Sequence, residues 1–119
     1  MQTRYQTLLS EVKQTIKEMT PQEVANADRS NAYIVDVRED NEWQKGHVPD
    51  AVHVNRGILE GNIERIVPNA NSTVILYCAG GARSALAAES LMRMGYTSVY
   101  SMQGGFGNWL QLGLPVSND

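Results

Sequence analysis

The sequence predicts an α/β fold with a mainly parallel central sheet and helices on both faces. Short apolar, β-branched segments alternate with segments of helical periodicity along most of the chain. The apolar segments are too continuous for strands exposed on one face, which is typical of strands buried in a parallel sheet. No linker, internal repeat or low-complexity tract divides the 119 residues, so we expect a single domain with one moderate core.

A helix is predicted over residues 5–18, as an N-terminal helical extension (residues 1–18) ahead of the main domain (residues 19–119). Its apolar side chains recur at three- and four-residue steps, at Tyr5, Leu8, Leu9, Val12 and Ile16. We favour packing of this face against the core of the same chain. A protein partner or a dimer formed through this helix stays open.

Similar local signals predict the remaining elements. Thr20 can cap a second helix, Pro21 suits its first position and Glu23 completes a capping box, so this helix should run to about Ala27. Apolar, β-branched runs predict strands at 33–37, 51–54, 73–77 and 98–102. Apolar spacing and the glycines that follow predict helical segments at 39–45, 58–67, 83–94 and 106–112.

The only cysteine, Cys78, follows the strand at 73–77 on a glycine-rich turn that opens into the helix at 83–94. Ligand sites in parallel sheets lie outside the carboxyl ends of the strands. Backbone N–H groups and the positive end of a helix dipole converge there and stabilise an anion. A lone cysteine is commonly a small buried hydrophobe. The two glycines and Arg83 instead favour a reactive thiolate that acts as a nucleophile.

Composition argues against several functional classes. The formal charge is −3 and no basic run is present, which argues against nucleic acid as a partner. One cysteine and two histidines lack the spacing of metal ligands, so neither a metal nor another cofactor is expected. No apolar run reaches the length of a membrane span, and no secretory signal is visible. Since a single cysteine forms no internal disulfide, we expect a cytoplasmic protein without membrane partners.

Three motifs, in order and at matching separations, resemble the rhodanese family over most of the chain from about residue 19 onward. The first comprises Asp36-Val37-Arg38-Glu39, Glu42-Trp43, Gly46-His47-Val48-Pro49 and Ala51-Val52-His53-Val54. The second comprises Val74-Ile75-Leu76-Tyr77-Cys78, Gly81 and Arg83-Ser84. The third comprises Gly95-Tyr96, Val99-Tyr100, Gly104-Gly105-Phe106-Gly107-Asn108-Trp109 and Gly113-Leu114-Pro115-Val116.

This resemblance implies a sulfurtransferase of rhodanese-like fold. Cys78 would take a sulfane sulfur from a small anionic donor such as thiosulfate, or from a persulfide. It would then pass that sulfur from its own persulfide to a thiol or cyanide acceptor, which divides the transfer into two steps. The substrate would be bound by the loop residues Ala79, Gly80, Gly81, Ala82, Arg83 and Ser84. The matching positions Asp36, Arg38 and His47 would support the site structurally.

Loop length and loop chemistry bear on the alternatives. Four residues separate Cys78 from Arg83. The related dual-specificity phosphatases and arsenate reductases have a pattern with five residues between the cysteine and the arginine. The shorter loop suits a single sulfur atom better than a tetrahedral oxyanion. Ala79 stands where many family members carry a basic or polar residue. A dianion such as thiosulfate is therefore attracted less strongly to this loop than to the loop of those members.

Two questions stay open at this point. The neutral Ala79 and the extra N-terminal helix are also compatible with a low-turnover sulfur carrier or a regulatory binding module. Arg83 could bind the donor, or it could pair with a carboxylate of Glu39, Glu42 or Glu89.

Overall fold

A single five-stranded sheet organises the molecule in the computed structural model, which describes residues 1–119. The strands are β1 (Lys17–Met19), β2 (Ala32–Asp36), β3 (Val52–His53), β4 (Thr73–Tyr77) and β5 (Ser98–Met102). Their spatial order is β1-β5-β4-β2-β3, and each neighbouring pair is parallel. The predicted parallel sheet is therefore confirmed, and no antiparallel strand joins it.

Six α-helices connect or flank the strands. They are α1 (Arg4–Lys13), α2 (Pro21–Ala25), α3 (Asp40–Gln44), α4 (Leu59–Ile66), α5 (Ala82–Arg93) and α6 (Gly105–Gln111), with a 3-10 turn at Arg56–Ile58 before α4. The longest, α5, has 12 residues. No helix combines the length and the apolar character needed to cross a membrane.

Two clusters of buried side chains lie on opposite faces of the sheet, because successive side chains of a strand point to opposite sides. On β4, Val74 and Leu76 belong to the larger cluster, whereas Ile75 and Tyr77 belong to the smaller one. The larger cluster includes side chains of α1, α4 and α5, and the smaller one includes side chains of α2 and α6. The predicted arrangement of helices on both faces is confirmed.

The N-terminal segment differs from its prediction. The helix α1 ends at Lys13, and residues 17–19 form the edge strand β1, which pairs with β5. The predicted helix was therefore wrong for residues 14–18. Of its apolar face, Val12 is buried, but Tyr5 and Leu8 remain 52% and 48% exposed. The proposed division of the chain at residue 18 stays a prediction.

The physical reason is that β1 is too short to produce a strand pattern of its own. Three residues with one partly buried hydrophobe, Met19, give no alternation to compete with the helical spacing that runs on to Ile16. Only the pairing of Lys17 to Met19 with Tyr100 to Met102 makes the segment a strand. The other predicted elements agree with the structure to within two residues.

Candidate active site

Cys78 lies immediately after the last residue of β4, and three residues separate it from the start of α5. The residue is only 1% exposed. Its Sγ accepts a hydrogen bond from the N–H of Gly81 at 3.1 Å and from the N–H of Ser84 at 3.4 Å. The Ser84 hydroxyl oxygen lies 3.5 Å from the same sulfur. The sulfur is thus surrounded by polar hydrogens on the side of the helix terminus, although it also borders the larger apolar cluster.

One glycine of the loop, Gly81, makes this arrangement accessible to the backbone. Gly81 precedes α5 with φ of 100°, a left-handed conformation that favours glycine. The chain thereby turns so that amides from both sides of the turn reach one sulfur atom. The N–H groups of Ala79, Gly80, Ala82 and Arg83 have no hydrogen-bond acceptor within the chain, so they are free to bind an anionic ligand.

The beginning of α6 fixes the loop from the other side. The N–H groups of Phe106 and Gly107 donate to the carbonyl oxygens of Cys78 and Ala79 at 2.7 and 3.0 Å. A Cβ atom on Gly105 would collide with the Cys78 carbonyl oxygen. This close approach requires glycine. In the sequence, the Gly104-Gly105 pair within the third motif was the available signal.

A pair of buried serines lies behind the sulfur. The Ser84 hydroxyl is 2.7 Å from the hydroxyl of Ser101 on β5, and both residues are fully buried. Ser84 also donates from its hydroxyl to the carbonyl oxygen of Gly81 at 3.3 Å. Sequence reasoning missed Ser101. A polar residue in an otherwise buried strand was its only signal, and nothing local connects it with Ser84.

Arg83 forms a bidentate ion pair with Glu42, which answers one of the open questions. Its Nη1 and Nη2 atoms donate to Oε1 and Oε2 of Glu42 at 3.0 and 3.2 Å. The hydrogen bonds to Arg83 hold the pKa of Glu42 at about 2. The same bonds raise the pKa of Arg83, and the charges of Cys78 and Glu39 act in the same direction with smaller effect.

The predicted supporting residues Asp36, Arg38 and His47 bind partners outside the cysteine loop, and none makes a hydrogen bond to the sulfur. Arg38 donates through Nε and Nη2 to the buried carboxylate of Asp36 and through Nη2 to the carbonyl oxygen of Gly46 at 2.7 Å. The His47 ring stacks on Trp43 at 3.4 Å between centroids. A hydrogen bond of 3.1 Å joins His47 Nδ1 to the Trp43 carbonyl oxygen, which identifies Nδ1 as the protonated nitrogen.

Neither a metal site nor an enclosed cavity accompanies these residues. No group of three or more His, Cys, Asp and Glu side chains is arranged to hold a metal ion. The three surface cavities of the molecule are lined by other residues than the cysteine loop. A small ligand would therefore bind against the loop itself, and its backbone amides would provide the contacts.

Comparison with known proteins decides the family. The family model described as "Rhodanese-like domain" matches residues 20–112. The chain belongs to the rhodanese-like domain family. The resemblance of the three motifs is thereby confirmed, and sulfur transfer is the activity for which relatives in this family are named.

Two curated relatives of this rhodanese-like protein carry such names. A thiosulfate sulfurtransferase, GlpE, of Haemophilus influenzae is 33% identical over 84% of this chain and 93% of its own. A sulfurtransferase of Allochromatium vinosum is 33% identical over 76% of this chain and 82% of its own.

Solved structures extend the similarity through the N-terminal segment. A Rhodopseudomonas palustris protein, described as being of unknown function and a possible tyrosine phosphatase, superposes with a TM-score of 0.89 and 30% identity, covering 98% of this chain and 96% of its own. The polysulfide-sulfur transferase homodimer of Wolinella succinogenes superposes with a TM-score of 0.82 and 25% identity, covering 95% and 86%.

Proposed function

We propose that this rhodanese-like protein is a sulfurtransferase in which Cys78 is the nucleophile and the persulfide carrier. One observation supports this proposal above all. The Cys78 sulfur accepts hydrogen bonds from the N–H groups of Gly81 and Ser84 at the start of α5. Hydrogen bonds to the charged form of a group favour that form, so these amides stabilise a thiolate and then the persulfide anion that replaces it. Names of the relatives supply independent support.

The chemistry divides into two displacements at sulfur. The Cys78 thiolate attacks the outer sulfur of thiosulfate, the sulfur–sulfur bond of the donor breaks, and sulfite leaves with the electron pair. A cyanide or thiolate acceptor then attacks the outer sulfur of the Cys78 persulfide, which yields thiocyanate or a new persulfide and returns the thiolate. No proton acceptor beside Cys78 is required if the thiol is already ionised.

Steady-state transfer from thiosulfate to cyanide tests this proposal. The Cys78→Ser variant should fold like the wild type, with the same circular dichroism spectrum, but should form no thiocyanate above the uncatalysed rate. Ping-pong kinetics are expected for the wild type because the donor product leaves before the acceptor binds. Turnover retained by Cys78→Ser would overturn the assignment of the nucleophile.

We propose a persulfide rather than thiosulfate as the natural donor. Both guanidinium groups beside the loop are already paired, Arg83 with Glu42 and Arg38 with Asp36. A dianion would thus be held mainly by neutral backbone amides. A cytoplasmic location is part of the proposal, since a reduced cysteine thiol persists in that compartment.

The second candidate function is a low-turnover sulfur carrier or regulatory module. The burial of Cys78 favours it, because an acceptor larger than cyanide must reach a sulfur that is 1% exposed. A carrier would accept sulfur once and release it slowly, whereas an enzyme would turn over many times within the same interval. The kcat of the wild type with several acceptors distinguishes the two.

Phosphatase chemistry is not part of the proposal, although one structural relative is described as a possible tyrosine phosphatase. The loop between Cys78 and Arg83 has four residues. In addition, Arg83 is paired with Glu42 and would have to leave that partner to bind a phosphate dianion.

We also propose that the exposed face of α1 binds a second copy of this chain. Tyr5 and Leu8 are the large apolar side chains that this helix leaves half exposed. The match to the homodimeric polysulfide-sulfur transferase covers 95% of this chain, which supports a second copy over an unrelated partner.

A further inference from the structure

We propose that Glu42 determines the charge of the sulfur donor that the Cys78 site accepts. By neutralising Arg83, Glu42 makes the site favour a monoanionic donor over a dianionic one. This inference rests on the proposed sulfurtransferase function and adds a specificity residue to it. Glu42 itself does not touch the sulfur, and it acts through the guanidinium of Arg83.

Glu42 is fixed in place by the helix on which it lies. It is the third residue of α3, and its Oε1 atom accepts the N–H of Glu39 at 2.9 Å in a capping box. The same oxygen accepts Arg83 Nη1 at 3.0 Å. The carboxylate is therefore oriented by its own helix before Arg83 binds to it, and the pair does not depend on two freely rotating side chains.

The ion pair of Arg83 and Glu42 connects α3 with the first turn of α5, next to the cysteine loop. Arg83 lies in the first turn of α5, one residue before the Ser84 amide that binds the sulfur. Its guanidinium is near enough to Cys78 for the cysteine charge to raise the pKa of Arg83. The side chains of Arg83 and Glu42 are 35% and 30% exposed, so solvent and a small donor can reach the pair.

Neither Arg38 nor Arg56 compensates for the neutralised Arg83, because both are already paired. Arg38 is buried and bound by Asp36, and Arg56 donates through Nη1 to both carboxylate oxygens of Glu60. Free N–H groups of the loop remain, and they bind an anion without adding a full positive charge. A second negative charge on the donor thus meets no free guanidinium at this site, because Glu42 already holds the one on Arg83.

Two donors that differ by a single charge isolate this effect. Thiosulfate carries two negative charges, and methanethiosulfonate carries one because a methyl group replaces an oxygen anion. Both deliver their outer sulfur to the Cys78 thiolate by the same displacement. The electron pair of the broken sulfur–sulfur bond leaves on sulfite in the first case and on methanesulfinate in the second.

The test compares wild type, Glu42→Gln and Glu60→Gln with both donors and cyanide as the acceptor. Glutamine keeps the capping box but removes the charge. We expect Glu42→Gln to raise the ratio of kcat/KM for thiosulfate to that for methanethiosulfonate by about fivefold to tenfold, as one partly solvent-screened charge near the donor predicts. Glu60→Gln removes the matched carboxylate of the Arg56 pair and should leave the ratio unchanged.

The Arg83→Gln background shows whether the effect acts through Arg83. There, the additional Glu42→Gln change should alter the ratio much less than it does in the wild type, because the cation that Glu42 neutralises is gone. An unchanged or lowered ratio in Glu42→Gln alone would overturn the inference. So would an equal increase in the presence and absence of Arg83.

A second measurement separates this inference from the proposed function. Iodoacetate and iodoacetamide alkylate Cys78 without any sulfur transfer, and only iodoacetate is an anion. Glu42→Gln should raise the ratio of the iodoacetate rate to the iodoacetamide rate, whereas Glu60→Gln should not. If neither donor transferred sulfur to any variant, the proposed function would fail, and the alkylation ratio would still decide the role of Glu42.

Discussion

At the scale of single residues, Cys78 combines burial with polar contact in a way that its residue type does not determine. Its sulfur accepts the N–H groups of Gly81 and Ser84, and the Ser84 hydroxyl is in turn joined to Ser101. A thiolate in this position replaces the water that it loses on burial by donors that are already oriented. Folding provides the free energy that orients these N–H groups, before any sulfur donor binds.

Glu42 gives a prediction at the same scale. Its pKa is about 2 in the folded chain because Arg83 binds the ionised form, against an ordinary value of 4.5. A lowered folded-state pKa means that the stabilisation is complete above the ordinary value and is lost as the pH falls from about 4.5 towards 2. The difference in melting temperature between wild type and Glu42→Gln should therefore be largest above pH 4.5 and shrink below it. A difference independent of pH over this range would contradict the ion pair.

At the scale of secondary-structure elements, the contact between α6 and the cysteine loop is the feature that holds the site. Gly105 is the first residue of α6 and Gly113 follows the helix, and both have left-handed backbones, with φ of 59° and 69°. A Cβ on Gly105 would collide with the backbone of Cys78 and Ala79, whereas a Cβ on Gly113 would meet no atom within 4 Å. An alanine at Gly113 would therefore introduce backbone strain alone, whereas an alanine at Gly105 would add steric overlap to that strain.

We therefore predict different costs for two alanine variants. Gly113→Ala should lower the free energy of unfolding by about 1–2 kcal/mol, the usual cost of a left-handed non-glycine residue. Gly105→Ala should cost at least about 2 kcal/mol more, because the loop must move, and it should also slow sulfur transfer. Urea unfolding of both variants measures the difference. Equal losses of stability would show that the close approach of Gly105 to the loop has no energetic consequence.

Many of the secondary-structure elements could be predicted from the sequence, because their signals were local. The position of Cys78 between a β-branched run and a helix start, separated by glycines, predicted the loop correctly. The strand β1 could not be predicted, since it forms only by pairing with β5. A three-residue edge strand leaves no periodic pattern of its own in the sequence.

Contacts between distant residues limited the prediction of the site. The partner of Arg83 lies 41 positions away, and a single sequence gave three candidate carboxylates without ranking them. The Ser84–Ser101 hydrogen bond spans 17 positions. The approach of Gly105 to Cys78 likewise depends on how β4 and β5 lie side by side in the sheet.

At the scale of the whole molecule, the parallel sheet brings the carboxyl ends of β2 and β4 to one edge. Asp36 ends β2, and Cys78 follows the end of β4, so the buried Asp36–Arg38 pair and the cysteine loop share that edge. Tyr5 and Leu8 on α1 make no hydrogen bond to this site, and their side chains are half exposed. The exposed face of α1 is therefore available for assembly.

Assembly through α1 gives a prediction that does not depend on catalysis. Replacing Tyr5 and Leu8 by serine should convert a dimer into a monomer in light scattering coupled to size exclusion, because each side chain would bury apolar area on association. Serine at Leu110, which is comparably exposed on α6, is the matched control and should leave the mass unchanged. A wild-type monomer at high protein concentration would rule out this assembly.

The central claim is that Cys78 carries the transferred sulfur. Intact mass spectrometry of the wild type after incubation with thiosulfate or a low-molecular-weight persulfide tests it most directly. We predict a gain of one sulfur atom, located on Cys78 by peptide mapping and lost when cyanide is added, with no gain in Cys78→Ser. An unmodified wild-type mass with every donor, or an equal gain in Cys78→Ser, would contradict the account.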